Sequence, residues 1–363
     1  MSDRVFGFVI VGAGVIAPFH ARAISELSNA RLAGFVDLNE SRAAGLGGAF
    51  ATGHSTDIGE FLARADVDVA CVCVPSGSHA EVGVQAAEAG KHLVVEKPID
   101  VTLEAADRLI AACRASGVKM TVISQHRYDP GVRRLRELVD SGRLGRLILG
   151  DAVVKWYRTQ EYYDSGGWRG TWELDGGGCL MNQGVHHVDL LQWMMGPVES
   201  VSAHFATAAH EIEVEDVVVA VLRFQGGALG SLEASTAVYP GLPERLEVTG
   251  TGGTVIVEAG SLKVCELKDE KGETSPYGAK LRTDAARDDE TGAGDPAAIS
   301  HLGHRHQISE FLTAIDTGVE PALSGGEARK PLEIILAVYE SARSGREVRL
   351  PLRRQPLKAG PGS

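Results

Sequence analysis

The chain has 363 residues, a length that favours two domains. Apolar side chains make up 44% and charged ones 23%, the balance of an ordinary packed globular protein. A formal net charge of −12 argues against general nucleic-acid binding, which needs basic surface to neutralise phosphates, and no stretch is long and apolar enough to span a membrane.

The opening segment MSDRVFGFVIVGAGVIAPFH lacks the basic start of an export signal, and glycines interrupt its apolar run. Five cysteines stand without paired metal spacing; Cys71 and Cys73 lie inside the apolar run VDVACVCVP and read as buried strand. The odd count fits a reducing, cytoplasmic setting.

In chain order, Val5 to Val11 reads as a buried strand and Pro18 to Leu27 as a helix. Further apolar runs follow at Arg31–Val36, Val69–Val74, His92–Val95 and Val118–Ile123, with helical patterns at Ala80–Ala89 and Leu103–Ala115. Continuous apolar strands alternating with helices predict a parallel sheet covered on both faces, in a doubly wound Rossmann arrangement.

The first turn, Gly12-Ala13-Gly14-Val15-Ile16-Ala17, fits the dinucleotide fingerprint. Gly12 permits the tight turn, Gly14 leaves room for a pyrophosphate, and Ala17 lets the helix approach the sheet. Asp37 ends the second strand about 20 residues on, where a carboxylate accepts ribose hydroxyls. It would repel a 2′-phosphate, so NAD is favoured over NADP; Arg42 nearby reads as an exposed helix charge rather than as a residue that softens that preference. Pro75 and His79, after the third long strand, and Glu96-Lys97, after the fourth, complete the expected cofactor contacts, because ligands bind beyond strand ends in open α/β sheets.

After Ile123 the pattern changes. A helix at Pro130–Ser141 precedes strand-like segments at Leu147–Tyr157, Val198–Ala206, Val214–Phe224, Ala228–Ala237, Glu244–Gly250, Gly253–Glu258 and Leu262–Leu267. Strands without intervening helices predict a C-terminal α+β domain on an open, mostly antiparallel sheet. Residues 268–303 read as a flap or surface loop. Helices are expected at His306–Thr317 and Glu327–Ser344. The division is 1–124 for NAD, 125–350 for substrate and oligomerisation, and 351–363 as a tail.

Gly176-Gly177-Gly178 leads into CLMNQGVHHVDLLQWMM. Helical spacing puts Asn182, His186 and Asp189 near one face. That pattern fits either a hydrogen-bonded seam or a catalytic stripe. Gln125, His126 and Arg127 end the fifth strand and line either the expected cleft or a hydrogen-bonded domain junction, and Tyr157, Tyr163 and Trp172 read equally as aromatics for a sugar face or as packing. His301, His304 and His306 lack a convincing acidic or cysteine partner, so no metal is expected.

VGAGVIA, EKP, GGGCLMNQGVHHVDLLQW and GHRHQISEFLTAI together resemble the Gfo/Idh/MocA oxidoreductases, the family of glucose–fructose oxidoreductase and inositol dehydrogenase. The resemblance covers nearly the whole chain. It implies NAD-dependent hydride transfer to or from a sugar, anhydrosugar or inositol-type alcohol, and assembly into dimers or tetramers through the C-terminal sheet. It also implies that Lys97 is the family lysine, that His186 is the acid/base, and that Arg169, beside Trp168, holds substrate. Many members carry Asp where this chain has Asn182, and an amide cannot supply a carboxylate's charge to His186. Some relatives are glycosidases that oxidise the sugar transiently, and others are non-catalytic sensors; net NADH production separates both from a dehydrogenase.

Overall fold

The computed structural model describes residues 4–268 and 300–352. In chain order the elements are β1 (Phe6–Val11), α1 (Ala17–Ser25), β2 (Ala30–Val36), α2 (Glu40–Ala49), β3 (Gly53–Ser55), α3 (Ile58–Leu62), β4 (Val69–Val72), α4 (His79–Glu88), β5 (His92–Val95), α5 (Leu103–Ala115) and β6 (Met120–Val122). Then come α6 (Pro130–Asp140), β7 (Leu147–Lys155), α7 (Gln160–Asp164), α8 (Val185–Met195), β8 (Val198–Ala206), β9 (Val217–Phe224) and β10 (Leu229–Ser235). Last are β11 (Arg245–Gly250), β12 (Gly253–Glu258), β13 (Ser261–Leu267), α9 (Leu302–Thr317), α10 (Gly325–Ser344) and β14 (Val348–Arg349). Among the described residues no helix is long and apolar enough to cross a membrane.

The chain forms two compact units. Within the described residues the first takes 4–125, 171–176 and 300–332, and the second 126–170, 177–268 and 333–352. The first unit is built on a parallel sheet in the order β3-β2-β1-β4-β5-β6, the doubly wound Rossmann order. Every residue of β1 and β4 is buried, as expected of strands with helices on both faces. Phe6, Phe8 and Ile10 of β1 pack with Ile24 of α1 and with Ile308 and Phe311 of α9.

The second unit holds an eight-stranded sheet in the order β13-β12-β11-β7-β10-β9-β8-β14. Its neighbours run antiparallel except for β7 and β10, which are parallel. From Val218 to Phe224, β9 alternates buried and exposed residues, so one sheet face is packed and the other is open to water. On the packed face α8 sits so close to β7 that a Cβ at Gly150 would lie 2.7 Å from Met195.

Two strands carry no signal in the sequence. β3 is three residues long and β14 two, too short to display a period. α9 starts four residues before His306. Most of 268–303, expected as a flap or loop, and most of the tail lie outside the described residues.

Candidate functional site

In the first unit the glycine turn sits between the end of β1 and α1. Gly12 has φ +100°, and a Cβ there would lie 2.4 Å from the Cys73 carbonyl oxygen, so the turn admits only glycine. Gly14 differs: a Cβ there would meet no protein atom within 4 Å. The space above it stays open toward the start of α1, flanked by exposed Val15 and half-buried Ile16. That start carries no side-chain cap. Asn39, Asp57 and Thr102 cap α2, α3 and α5, and Asp100 takes the Ala80 N–H of α4 at 2.9 Å. An uncapped helix N-terminus behind an open glycine is suited to a phosphate.

Asp37 is fixed by the same turn. Its two oxygens accept N–H groups from Ala13 at 2.7 Å and Asn39 at 2.8 Å. A carboxylate offers about four lone-pair positions, so both oxygens retain capacity for ribose hydroxyls. Arg42 lies exposed on α2. Half-buried Pro75 follows β4. His79 is buried, with Nδ1 2.7 Å from the Pro98 carbonyl and Nε2 2.9 Å from that of Val74. Its ring therefore ties the loop after β4 to the loop after β5, and burial lowers its pKa.

Lys97 follows β5, and its backbone N–H donates to Glu96 Oε2 at 3.2 Å. Glu96 is buried among two imidazoles: its Oε1 lies 2.7 Å from His20 Nε2 on α1 and 3.5 Å from His304 Nε2 on α9. Burial opposes its charge, but hydrogen bonds from both histidines hold the carboxyl well below its ordinary range. Glu96, His20 and His304 form the one His/Cys/Asp/Glu group among the described residues close enough to share an ion. The 2.7 Å contact is a charge-assisted hydrogen bond as it stands.

In the second unit the stripe is less regular than its spacing suggests. Cys179–Gly184 forms a π-helical turn that passes into α8 at Val185. Asn182, half-buried, sits in the wide turn, and His186, buried, in the α-helix. Asp189 faces Arg127, whose Nε and terminal nitrogen reach its two oxygens at 2.8 and 2.5 Å. The same guanidinium lies over the Trp193 ring at 4.6 Å. Beside His186 stands His126, edge-on at 4.9 Å between ring centroids, with its Nδ1 2.8 Å from Asp129 Oδ2.

Arg169 is gripped by aromatics, 4.5 Å from the Trp168 ring and 4.6 Å from that of Tyr162. Arg169 and Gln183 both donate to the Tyr162 hydroxyl, at 3.2 and 3.1 Å, which links Arg169 to the π-turn that carries Asn182. Tyr157 packs edge-on against Tyr239 at 5.3 Å near the surface. Tyr163 is core, bonded to Thr236 at 2.7 Å. Trp172 is half-buried in the first unit.

Comparison with known proteins agrees with this geometry. Residues 6–124 match the model of the oxidoreductase family with an NAD-binding Rossmann fold, and residues 132–256 match the GFO/IDH/MocA C-terminal domain. The WlbA dehydrogenase of Bordetella pertussis, solved with NADH and UDP-GlcNAcA, is 32% identical; the match covers 97% of this chain and 99% of that one, with a TM-score of 0.84. The chain belongs to the Gfo/Idh/MocA oxidoreductase family. It is also 25% identical over 362 residues to a myo-inositol 2-dehydrogenase of Thermotoga maritima, covering 94% of this chain and 97% of the relative. A 1,5-anhydro-D-fructose reductase of Ensifer adhaerens is 28% identical over 313 residues, covering 84% and 88%.

For this Gfo/Idh/MocA member, sequence reasoning missed the support beneath the motifs. The glycine triplet is demanded by packing: a Cβ at Gly177 would lie 2.1 Å from the Tyr339 hydroxyl, and one at Gly178 1.8 Å from the Glu215 carbonyl oxygen. Glu215, fully buried, accepts the N–H groups of Gly178 and Leu180 at 2.8 and 3.0 Å and the Tyr339 hydroxyl at 2.8 Å. Burial pushes its carboxyl up to about 7, against those three hydrogen bonds. A Glu-Asp pair in a strand-like run is its only trace in the sequence, and nothing there marks a carboxylate that reaches back under a helix.

Proposed function

We propose that the protein is an NAD-dependent dehydrogenase of a secondary alcohol on a pyranose, anhydrosugar or inositol ring. The observation that carries the reading is the open Gly14 before an uncapped α1 with Asp37 held beside it, joined to a family of NAD-binding oxidoreductases. These residues fit NAD: α1 and Gly14 take the pyrophosphate, Asp37 the ribose, and Pro75, His79, Glu96 and Lys97 the loops beside the nicotinamide. NAD, when bound, supplies the hydride acceptor.

The other steps belong to side chains. Lys97 donates a hydrogen bond to the reacting oxygen and steadies negative charge on it. His186 accepts the hydroxyl proton, as an imidazole can near neutral pH. Asn182 orients the hydroxyl without adding charge. Arg169, clamped by Trp168 and Tyr162, presents donors to ring hydroxyls. Tyr157 offers an aromatic edge, and Arg127, fixed on Asp189, acts by shaping the wall behind α8. The 1–124 and 125–350 division of labour belongs to the same reading.

Copies of the chain are proposed to associate in the cytoplasm through the open sheet face, where Leu149, Val219, Val221 and Leu229 are 41–57% exposed. Light scattering on Val221→Glu tests this, and an unchanged mass would overturn it. The activity test follows NADH absorbance against myo-inositol, pyranoses, anhydrosugars and sugar acids, with NADP in parallel. Substrate-dependent NADH supports the reading. Tight NAD binding with no turnover across the panel refutes it.

A further inference from the structure

Behind His186, inside the second unit, lies a cluster to which the proposed chemistry gives no role. His126, Asp129, His187 and Glu244 line a cavity of about 10 Å³, closed by aliphatic side chains of α6, α8, β11 and β12. That volume matches a single water, and four polar groups are enough to hold one. Glu244 is more than nine-tenths buried, and its Oε2 has no hydrogen-bond partner among the described residues. A buried carboxylate oxygen left without a donor is costly, so a donor in the cavity is called for.

The cluster has an inner and an outer end. At the inner end His126 meets His186 edge-on at 4.9 Å. At the outer end the His126 and Asp129 side chains are 21% and 29% exposed and paired at 2.8 Å. His187, on α8, is buried 6.3 Å from His126 between ring centroids. Burial pushes it down to about 4, with Glu244 and Asp129 opposing and His126 assisting. It therefore stays neutral near pH 7 and serves as hydrogen-bonding wall. Asp189, also on α8, is held in an ion pair with Arg127. The groups left to carry a moving proton are His126, Asp129 and Glu244.

We infer that His126 and Asp129, backed by Glu244 across a water-sized cavity, are the outlet for the proton that His186 takes from substrate. The inference rests on the dehydrogenase reading. NAD, when bound, would take up the hydride of the alcohol carbon, and the hydroxyl proton goes to His186. His186 returns to its neutral form by passing that proton to His126. In the tautomer carrying hydrogen on Nδ1, His126 accepts on Nε2 and releases the Nδ1 proton to Asp129, which hands it to solvent. One proton appears in bulk per alcohol oxidised, and no further oxidant is needed. Glu244 and the cavity water stabilise the imidazolium while it persists. All three are positioning residues that act through His186.

The test has two arms. Enzyme, NAD and myo-inositol, or the panel sugar with the highest NADH rate, are mixed rapidly in weak buffer with a pH indicator, so that NADH and released protons are read together. In the wild-type protein the two rise together. In Asp129→Asn and His126→Gln, proton release is expected to lag NADH by about tenfold in rate, and added imidazole restores it. Simultaneous release in both variants overturns the outlet. The second arm needs no turnover: carbon-13-labelled histidine NMR follows the His186 ring through a pH titration, assigned with His186→Gln. Asp129→Asn is expected to move its midpoint by about half a unit, and Glu244→Gln by less. An unmoved midpoint overturns the coupling. A moved midpoint in a protein that makes no NADH refutes the dehydrogenase reading while upholding the coupled cluster.

Discussion

Two buried glutamates, one in each unit, titrate in opposite directions. Glu96, at the end of β5, is held well below its ordinary range by His20 and His304. Glu215, just before β9, is pushed up to about 7. Both are removed from water, and both accept several hydrogen bonds. The difference lies in the donors. Imidazoles can carry positive charge, so they stabilise an anion by attraction as well as hydrogen bonding; two backbone N–H groups and a phenol offer dipoles alone, which here do not offset desolvation. The first unit therefore keeps a fixed negative charge beside Lys97. The second keeps a group that can go neutral beneath the π-turn of Asn182.

The largest effects are expected at Lys97 and His186, one in each unit. Lys97→Ala and His186→Ala should each lower kcat by about a thousandfold, within the usual range for a positioned acid/base or oxyanion donor. NAD affinity, read by fluorescence titration, should fall for Lys97→Ala and hold for His186→Ala. Equal loss of NAD affinity in both would break the assignment of cofactor duties to one unit.

Glu215→Gln addresses the comparison itself. A carboxyl whose pKa rises from 4.5 to about 7 on folding stabilises the protein most below pH 4.5, and that contribution is lost as pH rises through 7. The shift corresponds to about 3 kcal/mol. His187 works the other way: lowered from 6.5 to about 4, it stabilises above pH 6.5 and loses its contribution as pH falls toward 4. Subtracting variant from wild-type urea-denaturation curves between pH 4.5 and 7.5 cancels His187 and leaves the slope due to Glu215. A difference that stays flat across this window would show that Glu215 is ionised throughout.

The fold was legible because it rests on periodicity. Runs such as Val69–Val72 and alternations such as that of β9 are one-dimensional signals, and the longer strands of both sheets are drawn from them; the short edge strands β3 and β14 are not. The candidate site was legible only in its motifs. Gly12, Asp37, Lys97 and His186 stand in recognisable strings, whereas His20 and Glu215 hold motif residues far away in sequence and Tyr162 holds Arg169 from outside any motif. His304 drew notice through its neighbours His301 and His306, yet its partners are His20 and Glu96. Asp189 was expected in the His186 stripe because three residues nearly complete a helical turn, and its carboxylate is held by Arg127. Spacing gives the face of a helix; it does not give which partner reaches that face first.

Glu96→Gln should produce the mirror image of Glu215→Gln at a smaller size. Removing the charge while keeping the shape costs about 2 kcal/mol near neutral pH, the scale of a charged hydrogen bond. Because the folded pKa is depressed, the wild-type advantage should shrink as pH falls below 4.5. Thermal denaturation at pH 7 and pH 4 reads both values, and an advantage that grew with acid would contradict the charge pairing.

Asp37 is the third carboxylate in this series, and the one with least protein around it. It is half-buried and fixed by two backbone N–H groups, like Glu215. Its proposed work is on the ligand. Asp37→Asn keeps an acceptor for the ribose and removes the repulsion of a 2′-phosphate. NAD affinity should drop by only a few-fold, about 1 kcal/mol, while the NADP-to-NAD ratio rises by about tenfold. Parallel titrations with NADH and NADPH measure the ratio. If it did not move, Asp37 would be holding the glycine turn through Ala13 and taking no part in choosing the cofactor.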